Sequence, residues 1–282
     1  MDRGPVWRVG DVELDCGERT LVMGILNVTP DSFSDGGRYL DHAAAVARGI
    51  EMVDEGADLV DVGGESTRPG SDPVSADEER DRVAPVIQAL TAKVPVPISI
   101  DTRKPAVARA ALEAGALIVN DISGARDPEM FTVARKAGAG LVLMHMKGEP
   151  KTMQVAPHYD DVVAEVHEYL RERIEAAEFA GIAFDRLCID PGIGFGKDLQ
   201  QNLRLMHHVD ALLDLGRPVL VGPSRKRFIG ALLDLPVDER VEGTAAAVSW
   251  LVGRGAHIVR VHDVGQMVRV VRVLDAITRA GP

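Results

Sequence analysis

The tripeptide Ser224-Arg225-Lys226 places a hydroxyl and two cations between a short apolar run and a segment of helical character. The run at 218–221 is typical of a buried strand, and the segment at 227–233 is typical of a short helix. A strand-to-helix junction exposes backbone N–H groups, and with added positive charge it suits an anionic or electron-rich ligand. A motif this short also fits a solvated basic turn, so its meaning depends on the residues at the ends of the other strands.

Polar side chains also stand at the ends of the other apolar runs of the chain. In chain order they are Asn27, Asp61, Asp101, Asn120 with Asp121, His145, Asp190, Ser224 with Lys226, and Arg260 with His262. The carboxyl ends of parallel strands meet at the same edge of a sheet, where ligands bind. The sequence therefore predicts that these groups converge on one mouth.

Taken singly, several of these residues also have an ordinary structural explanation. Asn27 could cap the turn that comes after it, and Asp101 could be the N-cap of the next helix. Asp190 stands before Pro-Gly, which fits turn chemistry, and His145 could be a hydrogen-bonded structural histidine. Caps and turns need no lysine, arginine and histidine on the same rim, so the set as a whole predicts a binding site.

The acceptor-rich residues of this set predict one half of a ligand. Asp101, Asn120 and Asp190 suit a flat heterocycle with several N–H donors, because carboxylates bind paired N–H groups in a bidentate way. Lys226 could donate to a carbonyl of the same ring.

The remaining residues predict an anionic second half. Arg68, Arg260 and His262 suit phosphate or diphosphate. Asn27 offers an amide oxygen of the kind that Mg²⁺ accepts beside phosphate oxygens and water. The pocket is interpreted as holding a heterocycle in its depth and a diphosphate with Mg²⁺ nearer its opening.

Eight short apolar runs alternate with segments of helical periodicity, and this alternation predicts the fold. The runs lie at 21–26, 59–62, 97–100, 117–119, 140–144, 187–189, 219–221 and 258–261. They are apolar on both faces, as buried parallel strands are. Eight strand–helix repeats without a linker favour one α/β domain, a (β/α)8 TIM barrel, with its chemistry at the C-terminal ends of the strands. A doubly wound open sheet fits less well, because no G-x-G-x-x-G comes after the first strand.

The intervening segments complete the organisation of the chain. Helices are predicted at 43–55, 76–92, 105–114, 128–137, 159–180, 199–215, 240–253 and 264–279. Several end next to a glycine suited to a left-handed C-cap, namely Gly56, Gly115, Gly138, Gly181 and Gly216. Residues 1–20 are interpreted as a hairpin that forms a lid or plug on the barrel, and residues 21–282 as the single barrel domain.

The composition excludes several classes of function. The net charge of −11 argues against a nucleic-acid-binding surface and against an anionic membrane surface. No run reaches the roughly 18 apolar residues that span a bilayer. Cys16 and Cys188 form neither a disulfide framework nor a zinc cluster, and Cys188 is expected in the core. Without a signal-peptide pattern, a cytoplasmic location is expected, and the charged stretch 77–82 is expected to be a solvated helix face.

Long motifs then identify a family. The chain resembles the dihydropteroate synthase family of folate biosynthesis from about residue 21 to residue 273. The motifs that carry the resemblance, in the family's order, are MGILNVTPDSFSDGG (23–37), GADLVDVGGESTRPG (56–70), SIDT (99–102), NDISG (120–124), DPGIGF (190–195), SRK (224–226) and RVH (260–262).

The resemblance implies a reaction and a set of roles. The family joins 6-hydroxymethyl-7,8-dihydropterin diphosphate to 4-aminobenzoate, giving 7,8-dihydropteroate and diphosphate. The pterin would be held by Asp101, Asn120, Asp190 and Lys226, and Mg²⁺ by Asn27. The diphosphate would meet Arg68, Arg260 and His262. The aminobenzoate site would be shaped by Phe33, Thr67, Pro69, Phe195 and Ser224. Catalysis would rest on Asp101, Asp190, Lys226 and Arg260.

The resemblance implies further properties. Sulfonamides would compete with aminobenzoate, and the family precedent is a homodimer, with apolar patches at 245–250 and 267–271 as candidate interfaces. Departure of diphosphate before attack by the amine fits the absence of a catalytic triad, and loops 28–40 and 63–74 are interpreted as closing lids.

Two alternative functions remain. A pterin-binding methyltransferase that works with a corrinoid protein shares this barrel, but the sequence lacks a D-x-H-x-x-G cobalamin motif. A non-catalytic paralogue would bind a pterin without turnover.

Overall fold

A computed structural model describes residues 4–28, 37–66 and 71–280 of the protein, with the backbone alone for residues 37–41 and 279. Two strands form a separate hairpin, β1 (Val6–Val9) and β2 (Val12–Asp15). Eight further strands form one sheet: β3 (Leu21–Asn27), β4 (Leu59–Gly63), β5 (Ile98–Asp101), β6 (Ile118–Asp121), β7 (Gly140–Met144), β8 (Leu187–Asp190), β9 (Leu220–Val221) and β10 (Ile258–Val261).

The eight-stranded sheet is parallel and curls into a barrel. Its strand order is β8-β7-β6-β5-β4-β3-β10-β9. The two ends of the sheet meet at a single parallel bridge between Ile189 and Val219, where the Ile189 N–H also donates to the Pro218 carbonyl at 3.0 Å. The contact that closes the barrel is short because β9 has only two residues. The predicted TIM barrel is confirmed, and each of the eight strands lies within about two residues of its predicted position.

Helices cover the outside of the barrel. Those in the described part of the chain are α1 (Gly37–Asp54), α2 (Ala76–Thr91), α3 (Pro105–Glu113), α4 (Glu129–Ala137), α5 (Val162–Phe179), α6 (Leu199–His207), α7 (Arg227–Leu233), α8 (Val241–Gly253) and α9 (Val264–Arg279). Of these described helices, none is long and apolar enough to cross a membrane. The glycines predicted as C-caps all have positive φ.

Three helices differ from the prediction. The helix predicted from residue 43 begins at Gly37. The segment predicted as one helix at 199–215 ends its α-helical part at His207 and continues as a 3-10 helix over Val209–Leu215. The helix predicted from residue 159 begins at Val162, because the Asp161 carboxylate accepts the N–H groups of Val163 and Ala164 and so caps it.

The N-terminal hairpin plugs the amino-terminal end of the barrel. Trp7 and Val9 are fully buried against inward-facing residues of the strands, among them Met23 and Leu59. The Trp7 indole N–H donates to the Arg186 carbonyl at 3.0 Å, which satisfies its polar atom. The hairpin of β1 and β2 therefore packs on the barrel, and the assignment of residues 1–20 to the barrel domain stays a prediction.

The register of the strands brings polar residues together at the opposite end. Asp101 is the Cα partner of Asn120 on one side and of Gly63 on the other. Met144 is the partner of Asp190. Since parallel strands keep their carboxyl ends in one layer, these side chains share the mouth of the barrel.

Candidate active site

One arginine gathers the polar side chains at the mouth. Arg260 on β10 donates from Nε to Oδ2 of Asp61 at 2.6 Å and from Nη2 to Oδ2 of Asp101 at 2.7 Å. Asn120 donates from Nδ2 to the same Asp61 oxygen at 2.9 Å. The guanidinium therefore holds two buried carboxylates from β4 and β5 next to the amide of β6.

The same residues carry buried acceptor atoms that their mutual hydrogen bonds do not use. Oδ1 of Asp61, Oδ1 of Asp101 and Oδ1 of Asn120 are buried and have no hydrogen-bond partner among the residues that the structure describes. Buried acceptors without partners cost free energy, so such a group at a barrel mouth indicates a ligand that supplies donors.

Asp190 uses one of its two oxygens to hold the turn that comes after it. Its Oδ1 accepts the N–H of Gly192 at 2.7 Å, which is the turn chemistry suggested by the adjoining Pro-Gly. Burial raises the pKa of Asp190, while the Gly192 N–H and the charges of Lys226, Arg260 and Lys197 lower it.

Lys226 alone of the two predicted cations points into the pocket. Its Nζ lies 3.9 Å from the ring centre of Phe195, and burial lowers its pKa to about 8 against the opposing charge of Asp190. Arg225 adopts a left-handed backbone with φ of 56° and turns away to pair with Asp263, with Nε 3.0 Å from Oδ2. Both cations stand at this junction, but Arg225 is paired with Asp263 and only Lys226 packs on Phe195.

Ser224 and His262 form a second polar unit on the rim. The Ser224 hydroxyl lies 3.0 Å from Nδ1 of His262 and accepts the His262 backbone N–H at 3.2 Å. The hydroxyl then donates to Nδ1, which leaves the imidazole proton on Nε2. Burial, aided by Arg260 and Arg225, lowers the pKa of His262 to about 3, so it is a neutral donor.

Asp101 is a carboxylate under opposing influences. Burial raises its pKa to about 7, and the neighbouring Arg260 lowers it while Asp61 raises it. The 2.7 Å contact with Arg260 favours the ionised form.

The predicted magnesium ligand lies at the end of β3. A Cβ placed on Gly63 would lie 3.8 Å from Oδ2 of Asp101 and 3.9 Å from Oδ1 of Asn27, so both oxygens flank this glycine. In the described part of the chain, no group of three His, Cys, Asp or Glu side chains could hold a metal. An amide oxygen beside a carboxylate fits Mg²⁺ when phosphate oxygens and water complete its shell.

Four predicted site residues lie outside the described residues. These are Phe33, Thr67, Arg68 and Pro69. The predicted lid loops, 28–40 and 63–74, also lie partly outside them. The structure brings the other nine site residues together at the mouth.

Some of the ordinary structural explanations for these residues hold and others do not. Asp101 does not cap α3, whose N-cap is Lys104 without a side-chain bond. His145 is a hydrogen-bonded structural histidine, with Nδ1 3.0 Å from Nζ of Lys197, and Cys188 is in the core. The solvated-face expectation for 77–82 is wrong at Glu79, which is buried with Oε2 2.5 Å from Nζ of Lys104.

Two buried residues at or beside the mouth have no role in the predicted site. Asp61 stands at a strand end but has no role in the predicted site, although an aspartate inside the apolar run Leu-Val-Asp-Val is an internal signal for a buried functional carboxylate. Lys197 carries no such signal, because a lysine after glycines is usually exposed.

Comparisons with known proteins agree with this geometry. The family described as pterin binding enzyme matches residues 23–262. The dihydropteroate synthase of Bacillus subtilis is 48% identical over all of this chain and 96% of its own length.

Solved structures are equally similar. The Xanthomonas albilineans dihydropteroate synthase with 4-aminobenzoic acid superposes with a TM-score of 0.92 and 49% identity, covering 99% of this chain and all of the other. The Yersinia pestis enzyme in a sulfonamide drug complex gives a TM-score of 0.92 and 43% identity over 98% of this chain and all of the other. This chain belongs to the dihydropteroate synthase family of pterin-binding enzymes.

Proposed function

We propose that this protein condenses 6-hydroxymethyl-7,8-dihydropterin diphosphate with 4-aminobenzoate, forming 7,8-dihydropteroate and diphosphate. The observation that carries the proposal is the set of buried, unpartnered acceptor oxygens on Asp61, Asp101 and Asn120. A pterin presents an exocyclic amine and ring N–H groups, which are the donors that these oxygens require. The aminobenzoate complex of the Xanthomonas relative supports the second substrate.

The pterin's remaining contacts come from Lys226 and Asp190. Lys226 donates to the ring carbonyl, and its position above Phe195 supports this role. The oxygen of Asp190 that does not serve Gly192 accepts from the ring. Aminobenzoate lies outside the pterin, against Phe195 and Ser224, with Phe33, Thr67 and Pro69 as its predicted neighbours.

The reaction breaks one bond and forms another. The C–O bond to diphosphate breaks, its electron pair leaves with the diphosphate, and positive charge develops on the exocyclic carbon and spreads into the dihydropterin. The carboxylates of Asp101 and Asp190 stabilise that charge electrostatically. The amine lone pair of aminobenzoate then forms the C–N bond, and the surplus amine proton passes to solvent or to the departed diphosphate.

The leaving group would be held by hydrogen-bond donors, with Mg²⁺ beside it. Asn27 would hold Mg²⁺ together with diphosphate oxygens, and the metal would neutralise charge on the leaving group. Arg68 and His262 bind diphosphate oxygens. The imidazole of His262 is uncharged and donates its Nε2–H to the diphosphate. Arg260 is predicted to contact diphosphate as well, although two of its nitrogens already hold Asp61 and Asp101.

We also propose a homodimer and a cytoplasmic location. An apolar groove between α6, α7 and α8, lined in part by Leu232, Leu233 and Trp250, supports an interface that includes the predicted patch at 245–250. The other patch, at 267–271, is less suitable because Met267, Val268 and Val271 are buried within the chain. Two free, buried cysteines suit a reducing compartment.

An assay of diphosphate release tests the reaction. Purified protein receives the dihydropterin diphosphate and Mg²⁺, with and without 4-aminobenzoate. Release that depends on aminobenzoate and yields dihydropteroate is expected. Release without aminobenzoate would indicate a diphosphate-cleaving pterin enzyme, and pterin binding without release would indicate a non-catalytic paralogue.

A further inference from the structure

A lysine outside the predicted site is buried beside it. The side chain of Lys197 is 1% exposed. Its Nζ lies 2.9 Å from the Gly192 carbonyl, 3.0 Å from the Phe195 carbonyl and 3.0 Å from Nδ1 of His145. An ammonium has three N–H donors, and these three acceptors use them all.

The environment of this lysine is unusual because all three of its partners are uncharged. Burial lowers the pKa of Lys197 to about 7, and the charge of Asp190 opposes that change. Burial and the charge of Lys197 lower the pKa of His145 to about 2, so the imidazole is neutral and its Nδ1 accepts. Lysines are seldom buried without a paired carboxylate, so this arrangement calls for a reason beyond stability.

Lys197 closes a turn that carries two residues of the pocket. We call this segment, residues 190–197 between β8 and α6, the glycine turn. A Cβ on Gly192 would lie 1.9 Å from the His145 carbonyl oxygen, and one on Gly196 would lie 2.3 Å from that of Lys147. The turn therefore packs backbone against backbone on residues 145–147, and only glycine fits at these two contacts.

The two pocket residues of the glycine turn are Asp190 at its start and Phe195 near its end. Lys197 bonds the carbonyl of Phe195 itself and that of Gly192, whose N–H in turn bonds the Asp190 carboxylate. One buried ammonium thus fixes the backbone next to both residues. His145 fixes the ammonium from outside the turn, and its ring packs edge-on against Tyr169 at 4.9 Å.

We propose that Lys197 is a positioning residue: its ammonium, anchored on Nδ1 of His145, holds the glycine turn in the shape that presents Asp190 and Phe195 to the pterin. This inference rests on the proposed function, since the pterin is the ligand that the turn serves.

The test measures the dissociation constant of 6-hydroxymethyl-7,8-dihydropterin diphosphate by calorimetry. In Lys197→Met the stem keeps its length but loses charge and donors, so the dissociation constant should rise at least about tenfold. His145→Leu removes the acceptor and should weaken binding similarly. His145→Asn places an amide oxygen near the position of Nδ1 and should restore binding to within about threefold of the wild type. The double variant Lys197→Met/His145→Leu should bind the pterin as Lys197→Met does, because Lys197→Met already removes the contact that His145→Leu breaks.

A pH profile separates positioning from plain stability. The charged groups that lower the pKa of Asp190 are Lys226, Arg260 and Lys197. Removing Lys197 should raise the pKa of Asp190, so that Asp190 takes up a proton at a higher pH. When the pH is lowered, Lys197→Met should therefore lose pterin binding earlier, at a higher pH, than the wild type does. Lys147→Met is the matched control, because Lys147 is near His145 in the chain but is half exposed beside Glu165. It should leave the dissociation constant and the profile unchanged.

The outcomes decide between the possibilities. Wild-type protein that fails to bind the pterin would overturn the proposed function itself. Wild-type binding with unchanged dissociation constants in Lys197→Met and His145→Leu would overturn this inference alone. If Lys197→Met does not fold, the comparison of His145→Leu with His145→Asn carries the test, and equal weakening in those two would also overturn it.

Discussion

Arg260 and Asp101 meet across the mouth of the barrel, with Nη2 of the arginine 2.7 Å from Oδ2 of the aspartate. Their strands, β10 and β5, are not neighbours in the sheet. The same guanidinium binds Asp61, so a single cation compensates two buried carboxylates. Oδ1 of each carboxylate is left buried without a hydrogen-bond partner among the described residues.

Removal of this cation should cost stability in a pH-dependent way. Arg260→Met leaves two buried carboxylates without the cation that compensates them, a change that typically costs about 3 kcal/mol or more in the free energy of unfolding. Arg260 lowers the pKa of Asp101, so its loss raises that pKa further above the unfolded value. A carboxyl whose pKa is higher in the folded than in the unfolded protein lowers the free energy of unfolding when the pH is above the folded pKa. This loss becomes smaller as the pH falls.

Urea unfolding of Arg260→Met and wild type at several pH values measures this. The stability deficit should be largest near about pH 8 and shrink toward about pH 5. Arg109→Met, which breaks the exposed pair with Glu129, is the control and should cost less than about 1 kcal/mol. A deficit that does not vary with pH would contradict the pairing of Arg260 with the two carboxylates.

Asp190→Asn should weaken pterin binding because of the direction in which the new side-chain amide points. The Gly192 N–H needs an acceptor, so the amide oxygen takes that place and the NH₂ group faces the pocket. A donor then opposes the donors of the pterin, and the dissociation constant should rise roughly ten- to a hundredfold. Calorimetry with the dihydropterin diphosphate measures the change. Asp198→Asn, an N-cap of α6 where asparagine serves equally well, should bind as the wild type does.

Lys226 should set the alkaline limit of activity. Burial lowers its pKa to about 8, so the ammonium is lost as the pH rises through that value. The value of kcat/KM should therefore fall above about pH 8 in the wild type. Lys226→Ala should cut turnover sharply at every pH. Lys226→Arg should be less active than the wild type but keep its charge, so its alkaline decline should move to higher pH. If kcat/KM of Lys226→Arg falls at the same pH as that of the wild type, the group that titrates is not Lys226.

The hairpin plug should contribute to stability without contributing to binding. Trp7→Ala removes a fully buried indole and its hydrogen bond to the Arg186 carbonyl, which should cost about 3–5 kcal/mol. Unfolding should remain a single transition if the hairpin and barrel form one domain. Pterin affinity of the folded variant should not change, because Trp7 packs at the far end of the barrel. Val12→Ala, at a 39% exposed position of the same hairpin, should have little effect.

The proposed dimer has a surface test. Trp250 is 45% exposed and stacks on His207 at 5.4 Å beside the apolar groove. Trp250→Glu should place a charge in the interface and shift the protein to monomers in sedimentation experiments. Phe179→Glu, on a 96% exposed aromatic away from the groove, should leave the mass unchanged. A wild type that is monomeric at all concentrations would rule out the dimer.

The sequence by itself determined the fold and the composition of the mouth. Apolar runs of strand length, helical periodicity and glycines at helix ends act locally, so each can be read from a few neighbouring residues. The chain's alternation then placed Asp101, Asn120 and Asp190 at the ends of parallel strands and Lys226 just before the helix that comes after β9, where they lie in the structure.

The tertiary structure alone decided what those groups contact. Arg260 lies 199 residues from Asp61 in sequence, and no local pattern specifies that they pair. Arg225 turned away from the pocket because a left-handed backbone and Asp263 redirect it. Lys197 became buried because the glycine turn packs on the backbone of residues 145–147. Side-chain direction depends on twist, register and distant partners, which exist only once the barrel has closed.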